Sequence, residues 1–172
     1  NMNSLENLSF DQERALIRVD FNVPLDDNGN VTDATRIAAA LPTIKHILAV
    51  GGSCVLMSHL GRPKGYDPKL SLSQIVSTLE QHWGQAVHFC DEVVGEKAEA
   101  QAHALQPGEV LLLENLRFHE EETKGDEAFS AALAKLGTGY VNDAFGTAHR
   151  AHASTTIVAQ FFSQKKCFGH LL

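Results

Sequence analysis

Short apolar runs alternate with helical patterns along the chain. The runs occupy residues 15–20, 54–58, 86–89, 110–113 and 140–142, and a last apolar segment covers residues 167–172. Apolar residues follow one another in these runs instead of alternating with polar ones, which is typical of parallel strands buried on both faces. Strands that alternate with helices predict an α/β fold. We expect a three-layer, doubly wound parallel sheet of the Rossmann-like type with five or six strands.

Caps and apolar spacing predict three helices between these strands. Ser71 or Ser73 is a candidate cap for a helix that runs through Trp83. The apolar faces of the other two helices are Val94, Ala98, Ala102 and Leu105, and Phe129, Ala132, Leu133 and Leu136.

Residues 34–50 have a helical pattern that Pro42 interrupts. Proline has no amide hydrogen and suits the first turn of a helix, so we expect a break there, with Pro42 opening a second short helix. Thr32 or Asp33 is the expected cap of the first part, which places Arg36 in its first turn. A cation there faces the positive end of the helix dipole, and an anion bound between the helix end and Arg36 would offset this. Arg36 is therefore a candidate functional residue.

The composition indicates one globular domain, which we assign to residues 2–172. The chain has 172 residues, 44% of them hydrophobic, and Asn1 ahead of Met2 is typical of an expression remnant. The net charge of −7 argues against nucleic acid or an anionic membrane as a partner. No stretch has the pattern of a signal peptide, and the three cysteines include no CxxC pair, so we expect a cytoplasmic protein with free thiols.

Basic and amide residues follow four of the five predicted strands, where parallel α/β sheets bind ligands. These segments are residues 20–24, 58–65, 114–118 and 143–152, whereas the third strand ends in acidic residues 91–92, which favours an edge position. Five of the six arginines lie in or beside the four segments: Arg18, Arg36, Arg62, Arg117 and Arg150. Because a guanidinium binds carboxylates and phosphates through two parallel hydrogen bonds, a small anion is the predicted ligand.

Other interpretations of single residues stay open. Arg18 alone could form an ordinary surface ion pair, although Arg18, Asp20 and Asn22 share one side of a strand and can converge. The acidic run at residues 120–122 is typical of a solvated helix entrance without a functional role.

A metal site and a nucleotide site are both poorly supported. His149 and His152 with Asp143 match no strong metal motif, and Arg150 between them would oppose a cation. The chain has neither the GxxxxGK[ST] nor the GxGxxG pattern of a phosphate-binding loop.

Four segments closely resemble phosphoglycerate kinases. They are residues 18–24 (RVDFNVP), 58–65 (SHLGRPKG), 113–118 (LENLRF) and 143–152 (DAFGTAHRAH). The resemblance follows the family's order and covers essentially the whole chain. That family has two domains of similar size joined by a helix, so the resemblance implies that this chain is the N-terminal, substrate-binding domain without the nucleotide-binding one.

The resemblance also implies an activity and a site. The family transfers the γ-phosphoryl group of Mg-ATP reversibly to the carboxylate of 3-phosphoglycerate, giving 1,3-bisphosphoglycerate, a step of glycolysis. Arg36 is implied as the catalytic residue. The implied substrate site is Asp20, Phe21, Asn22, Arg36, His59, Leu60, Gly61, Arg62, Arg117 and Arg150. Within it, Asp20, Asn22 and Arg36 would contact the carboxylate and hydroxyl end. A basic patch for the 3-phosphate would be formed by His59, Arg62, Arg117 and Arg150, with Arg18, His149 and His152 nearby.

The resemblance places Mg-ATP or Mg-ADP on the other domain. We therefore expect no cofactor or metal site in this chain, no activity of the chain alone, and a monomeric full-length enzyme.

Two rival hypotheses compete with this one. A non-catalytic module that binds small anions should end in a capped element, whereas residues 168–172 stop in the middle of an apolar pattern. A phosphosugar enzyme complete in itself should have an acid–base pair at the sheet edge, for which Asp20 and His59 are the candidates.

Overall fold

The fold is a six-stranded parallel β-sheet between two layers of helices. A computed structural model describes residues 9–144 and 151–163 and the backbone of residues 166–168. The strands are β1 (Arg14–Arg18), β2 (Ser53–Met57), β3 (His88–Cys90), β4 (Val110–Leu113), β5 (Gly139–Asn142) and β6 (Lys166–Phe168). Their order in the sheet is β3-β4-β2-β1-β5-β6, and every neighbouring pair is parallel. The predicted fold class is confirmed, and β3 lies at an edge, as its acidic end indicated.

Helices cover both faces of the sheet. The α-helices of the described residues are α1 (Thr35–Ala49), α2 (Val76–Trp83), α3 (Glu96–His103), α4 (Glu121–Lys124) and α5 (Glu127–Ala134). Single 3-10 turns occur at Pro68–Leu70, Leu72–Ile75, Leu116–Phe118 and Val158–Phe161, and a π-helical turn occurs at Ala153–Ile157. In the described part of the chain, no helix has both the length and the apolar character needed to cross a membrane.

Alternate residues of β1, β2, β4 and β5 face two separate cores. Ile17 of β1 packs in one core with Ile44 of α1 and other side chains of α1 and α2. Leu16, its neighbour in β1, faces the other core with Leu133 of α5 and Ala98 of α3. Burial on both faces explains why the strands have almost continuous apolar sequences.

Helix α1 is continuous through Pro42, so the predicted break is wrong. Pro42 lies on the exposed side of the helix, and so does Ala38, whose carbonyl loses its partner because proline has no amide hydrogen. That carbonyl can bond to water instead. The buried face, which includes Ile37, Ile44 and Ile47, anchors the helix on both sides of the proline.

The side chain that caps the N-terminus of α1 belongs to Asp33, one residue before the usual cap position at Ala34. The helix begins after Ala34, which has no capping side chain, so the assignment of Thr32 or Asp33 as the cap residue is off by one or two positions. Asp33 Oδ1 nevertheless accepts hydrogen bonds from Thr35 N at 2.9 Å and from Thr35 Oγ1 at 2.6 Å. Arg36 follows in the first turn, as predicted.

The other helical predictions are largely confirmed. Ser71 is a cap whose hydroxyl accepts from Ser73 N at 3.2 Å, although the chain first forms a 3-10 turn and enters α2 only at Val76. Ala98 and Ala102 of α3 are buried, as are Phe129 and Leu133 of α5.

The strand order reverses beside β1. β2 pairs with one side of β1 and β5 pairs with the other, so the chain connections run in opposite directions from this point. Doubly wound sheets bind ligands at such a position, outside the carboxyl ends of the strands. The segment that follows β1 is therefore the first place to look for a site.

Candidate functional site

Hydrogen bonds join the loops that follow β1, β2 and β4 into one surface. Phe21 N donates to Ser58 Oγ at 2.9 Å, which connects the first loop to the second. Leu116 N donates to Ser58 O at 3.0 Å, which connects the third loop to the same residue. The side chain and the backbone of Ser58 thus hold the three strand ends at fixed relative positions.

Arg36 reaches back from α1 over the end of β1. Its Nη1 donates to Asn22 O at 2.6 Å and to Asp20 Oδ1 at 3.2 Å. Asp20 Oδ1 also accepts from Asn22 N at 3.1 Å. The Arg36 side chain keeps 51% of its surface exposed. The Asp20 carboxylate thus supplies the negative charge that a cation in the first turn of a helix requires.

Asn22 connects this group to the second loop. Its Oδ1 accepts from Gly61 N at 2.9 Å. Gly61 has φ of 65°, and a Cβ there would lie 2.9 Å from Leu70 Cδ2, so both the conformation and the space favour glycine. The structure therefore brings Asp20, Asn22, Arg36 and Gly61 together, as the sequence predicted.

Phe21 and Leu60 are buried beside the site. Phe21 is fully buried and its ring lies 6.0 Å from the ring of Trp83, centroid to centroid. Leu60 is 3% exposed, and its backbone is held by Asn115. Neither residue exposes a side chain to a ligand, so their predicted places in the substrate site stay predictions.

Asn115 is a positioning residue that the sequence analysis missed. It is fully buried, and its Oδ1 accepts from Leu60 N at 3.2 Å and from Arg117 N at 3.0 Å. Its Nδ2 donates to Leu60 O at 2.7 Å and to Leu70 O at 2.9 Å. The only signal in the sequence was an amide two positions after a fully apolar strand, which does not distinguish a ligand contact from a structural one.

Arg18 points into the protein rather than toward Asp20 and Asn22. It is 1% exposed, and its Nε donates to Ser154 Oγ at 2.9 Å. Its Nη1 donates to Val19 O, and its Nη2 lies 2.8 Å from His59 Nδ1. Burial lowers the pKa of Arg18, and the negative charge of Glu122 opposes that effect. Neither the expected convergence with Asp20 nor the alternative of a surface ion pair describes this residue.

His59 is a neutral member of the site. Burial, followed by the positive charge of Arg18, lowers the pKa of His59 from 6.5 to about 3, with smaller contributions from Arg117, His152 and Arg36. The family resemblance places His59 in a basic patch. The structure instead makes it an uncharged hydrogen-bonding group.

Two arginines lie at the outer edge of the site. Arg62 is exposed and, among the described residues, forms no hydrogen bond or ion pair. Arg117 lines a cavity of about 430 Å³ together with Lys64, His119 and Glu120. Arg150 and His149 lie outside the described residues, so their predicted places in the site stay predictions.

The acidic run at residues 120–122 is not uniformly solvated, contrary to the prediction. Glu120 is exposed and forms an ion pair with Lys124 at 3.2 Å. Glu122 is fully buried, and both of its oxygens accept hydrogen bonds from Ser154. A side chain 32 positions away in the sequence accounts for the difference. In the part of the chain that the structure describes, no group of three histidine, cysteine or acidic side chains is arranged to hold a metal ion.

The chain is similar to proteins of one family along nearly its whole length. The family model described as phosphoglycerate kinase matches residues 5–172. A phosphoglycerate kinase from Nostoc sp. is 53% identical over 160 residues, which are 93% of this chain and 40% of that relative. One from Moorella thermoacetica is 56% identical over 159 residues, again 40% of the relative.

Solved structures give the same result. The phosphoglycerate kinase from Coxiella burnetii matches with a TM-score of 0.86 and 32% identity, over 99% of this chain and 42% of that one. The phosphoglycerate kinase from Pyrococcus horikoshii matches with a TM-score of 0.87 and 31% identity, over 99% of this chain and 43% of that one. The chain spans about 40% of the length of the curated relatives. It belongs to the phosphoglycerate kinase family.

Proposed function

We propose that residues 2–172 form the N-terminal, substrate-binding domain of an enzyme that transfers a phosphoryl group reversibly between ATP and the carboxylate of 3-phosphoglycerate. The observation that carries the proposal is the group formed by Asp20, Asn22, Arg36 and the loop at Gly61, at the carboxyl ends of β1 and β2. This group lies at the reversal of strand order in a chain of the phosphoglycerate kinase family.

The chemistry of the group suits phosphoryl transfer to a carboxylate. Such a nucleophile is ionised at neutral pH and needs no general base, so positioning and charge stabilisation are what the protein must supply. Of the three side-chain nitrogens of Arg36, only Nη1 donates hydrogen bonds to the described residues of the protein. Nε and Nη2 therefore remain as a pair of parallel donors for a ligand. Arg36 is therefore our proposed catalytic residue, acting on the charge that develops during transfer.

The proposed phosphate end of the substrate lies toward Arg62 and Arg117. Arg62 is exposed without a partner in the described residues, and Arg117 borders a cavity beside Lys64. Guanidinium groups at an open edge are suited to a phosphate, which accepts several hydrogen bonds at once. We include Arg150 in the proposed site only because it belongs to the family motif at residues 143–152.

We propose that Mg-ATP or Mg-ADP binds to a part of the enzyme outside these 172 residues, and that this chain alone has no phosphotransferase activity. The activity proposal is tested by a coupled assay with ATP, Mg²⁺ and 3-phosphoglycerate. Turnover by the chain that disappears in Arg36→Ala would refute it, because the chain would then be a complete enzyme.

Substrate binding is tested by titrating the ¹⁵N-labelled chain with 3-phosphoglycerate. The amide signals of Asn22, Gly61 and Arg62 should shift, whereas those near Asp91 at the end of edge strand β3 should not. Glycerate, which lacks the phosphate, should still shift Asn22, and glycerol 3-phosphate, which lacks the carboxylate, should still shift Arg62. Shifts near Asp91 alone, or none, would reject the proposed site.

The same titration separates this function from a module that binds any small anion. Inorganic phosphate should shift Arg62 without shifting Asn22, because it offers nothing to the group around Arg36. Equal shifts of both residues by phosphate and by 3-phosphoglycerate would favour the simple anion-binding module.

A further inference from the structure

A series of buried hydrogen bonds connects Glu122 to the candidate site. Glu122 and Ser154 are fully buried, Arg18 is 1% exposed and His59 is 7% exposed. Ser154 donates to Glu122 through its backbone N, at 2.9 Å, and through its hydroxyl. The same hydroxyl accepts from Arg18 Nε at 2.9 Å, and Arg18 Nη2 lies 2.8 Å from His59 Nδ1. This series of hydrogen bonds begins at Glu122 on helix α4 and ends at His59 in the loop after β2.

The direction of each hydrogen bond in this series follows from which groups can only donate and which can only accept. A guanidinium only donates, and it keeps its charge in proteins. His59 Nδ1 must therefore accept from Arg18, which leaves the ring proton on Nε2. At the other end, the carboxylate of Glu122 only accepts, so the Ser154 hydroxyl donates to Glu122 and keeps a lone pair for Arg18 Nε.

The surroundings also oppose a second proton on His59. That proton would have to occupy Nδ1, directly against the guanidinium of Arg18. Among the described residues, Arg117 from the loop after β4, His152 before the π-helical turn and Arg36 from α1 also disfavour a charge on the ring. Burial and these charges together lower the pKa of His59 to about 3.

We infer that Glu122, Ser154 and Arg18 are positioning residues that hold His59 as a neutral imidazole with its proton on Nε2, so that His59 offers the substrate an uncharged hydrogen-bond donor instead of a cation. The substrate group it suits is an oxygen acceptor of a small hydroxy acid. This role toward a ligand rests on the proposed function, whereas the state of the ring does not.

The buried carboxylate of Glu122 has a specific part in the arrangement. A buried guanidinium needs an opposite charge nearby, and Glu122 supplies it through the Ser154 hydroxyl. A glutamine at position 122 would turn an amide N–H toward that hydroxyl, whose own proton would then have no acceptor there, and it would remove the negative charge beside Arg18. Arg18 would be held less firmly, and its hydrogen bond to His59 Nδ1 would weaken.

The test is long-range ¹H–¹⁵N NMR of the ¹⁵N-histidine-labelled chain, without ligand, from pH 8 to pH 5. We expect one neutral form of His59 throughout, with Nδ1 unprotonated and Nε2 protonated. A charged ring at pH 6, or a proton on Nδ1, would overturn the inference in the wild type, whether or not any variant folds.

Variants test the positioning residues one by one. Ser154→Ala and Glu122→Gln should each lower the ratio of the Nε2–H to the Nδ1–H form about fivefold, the effect of one weakened hydrogen bond. Ser154→Thr keeps the hydroxyl and should resemble the wild type. Glu120→Gln is the matched control on the exposed side of the same acidic run. An unchanged ratio in both Ser154→Ala and Glu122→Gln would show that these residues have no influence on His59.

The ligand arm uses 3-phosphoglycerate itself. If His59 is a neutral donor, the affinity of the wild type should not rise as the pH falls from 7 to 5.5, whereas a titrating cation would strengthen binding. Absence of binding at every pH, with the ring state as expected, would reject the proposed function and leave the inference about the ring intact.

Discussion

Replacing His59 by asparagine should remove a loss of stability that the wild type suffers in acid. The folded state holds the pKa of His59 at about 3, whereas an unfolded chain restores it to about 6.5. Below pH 6.5 the unfolded state therefore binds a proton that the folded state does not. The stability associated with the neutral ring is complete above pH 6.5. It falls by up to about 1.4 kcal/mol per pH unit as the pH decreases toward 3.

Between pH 7 and pH 5 these values correspond to a loss of about 2 kcal/mol from His59 alone. Carboxylates contribute little in this interval because their pKa in an unfolded chain is about 4. Asparagine does not titrate, and its amide oxygen can take the place of Nδ1 as the acceptor for Arg18. His59→Asn should therefore lose about 2 kcal/mol less stability than the wild type between pH 7 and pH 5.

Urea unfolding, followed by the fluorescence of the buried Trp83, measures this difference at each pH. His82→Asn is the matched control for the loss of a histidine, since His82 is an exposed histidine of helix α2. Equal losses of stability in the wild type and in His59→Asn would refute the reasoning, because they would mean that His59 is not held neutral by the fold.

Three other predictions follow from the site. Asn115→Ala should lower the free energy of unfolding by about 3 kcal/mol in urea titrations, because it leaves the buried backbone N and O of Leu60 and the partly buried O of Leu70 without this partner. Gly61→Ala should cost about 1–2 kcal/mol in the same measurement, because φ is 65° and Leu70 is close. In the full-length enzyme, Arg36→Ala should reduce kcat roughly a hundredfold, whereas Arg62→Ala should mainly raise KM. Equal effects on kcat in steady-state kinetics would make Arg36 only another binding residue.

The sheet was predictable because its strands are buried on both faces. Nearly continuous apolar sequences located β1, β2, β4 and β5 to within two residues, and the acidic end of β3 indicated its edge position. Local rules failed where the outcome depended on exposure within a helix. Pro42 was predicted to break α1, but it is tolerated because it lies on the solvent side, which the sequence spacing alone did not reveal.

The location of the candidate site was predictable from the sequence, but the hydrogen bonds within it were not. Asp20, Asn22, Arg36 and Gly61 follow from the rule on strand ends and from the family motifs. The burial of Glu122 depends on Ser154, and the state of His59 depends on Arg18, 41 positions earlier in the sequence. Charged residues are rarely buried unless paired, so a run of glutamates gives no local sign that one member has a distant partner.

The arginines that form one basic patch in the sequence differ in how many of their side-chain nitrogens are already hydrogen-bonded to the protein. Arg18 is buried and bonded through all three nitrogens, so its effect on a ligand is exerted through His59. Arg36 is bonded through one nitrogen, and Arg62 has no partner among the described residues. A donor that is already bonded in a buried network must give up that bond before it can contact a ligand, whereas an exposed donor gives up only water. Of these three, we therefore expect Arg36 and Arg62 to recognise an anion directly, in addition to Arg117, whereas we expect the charge of Arg18 to serve the geometry of the site.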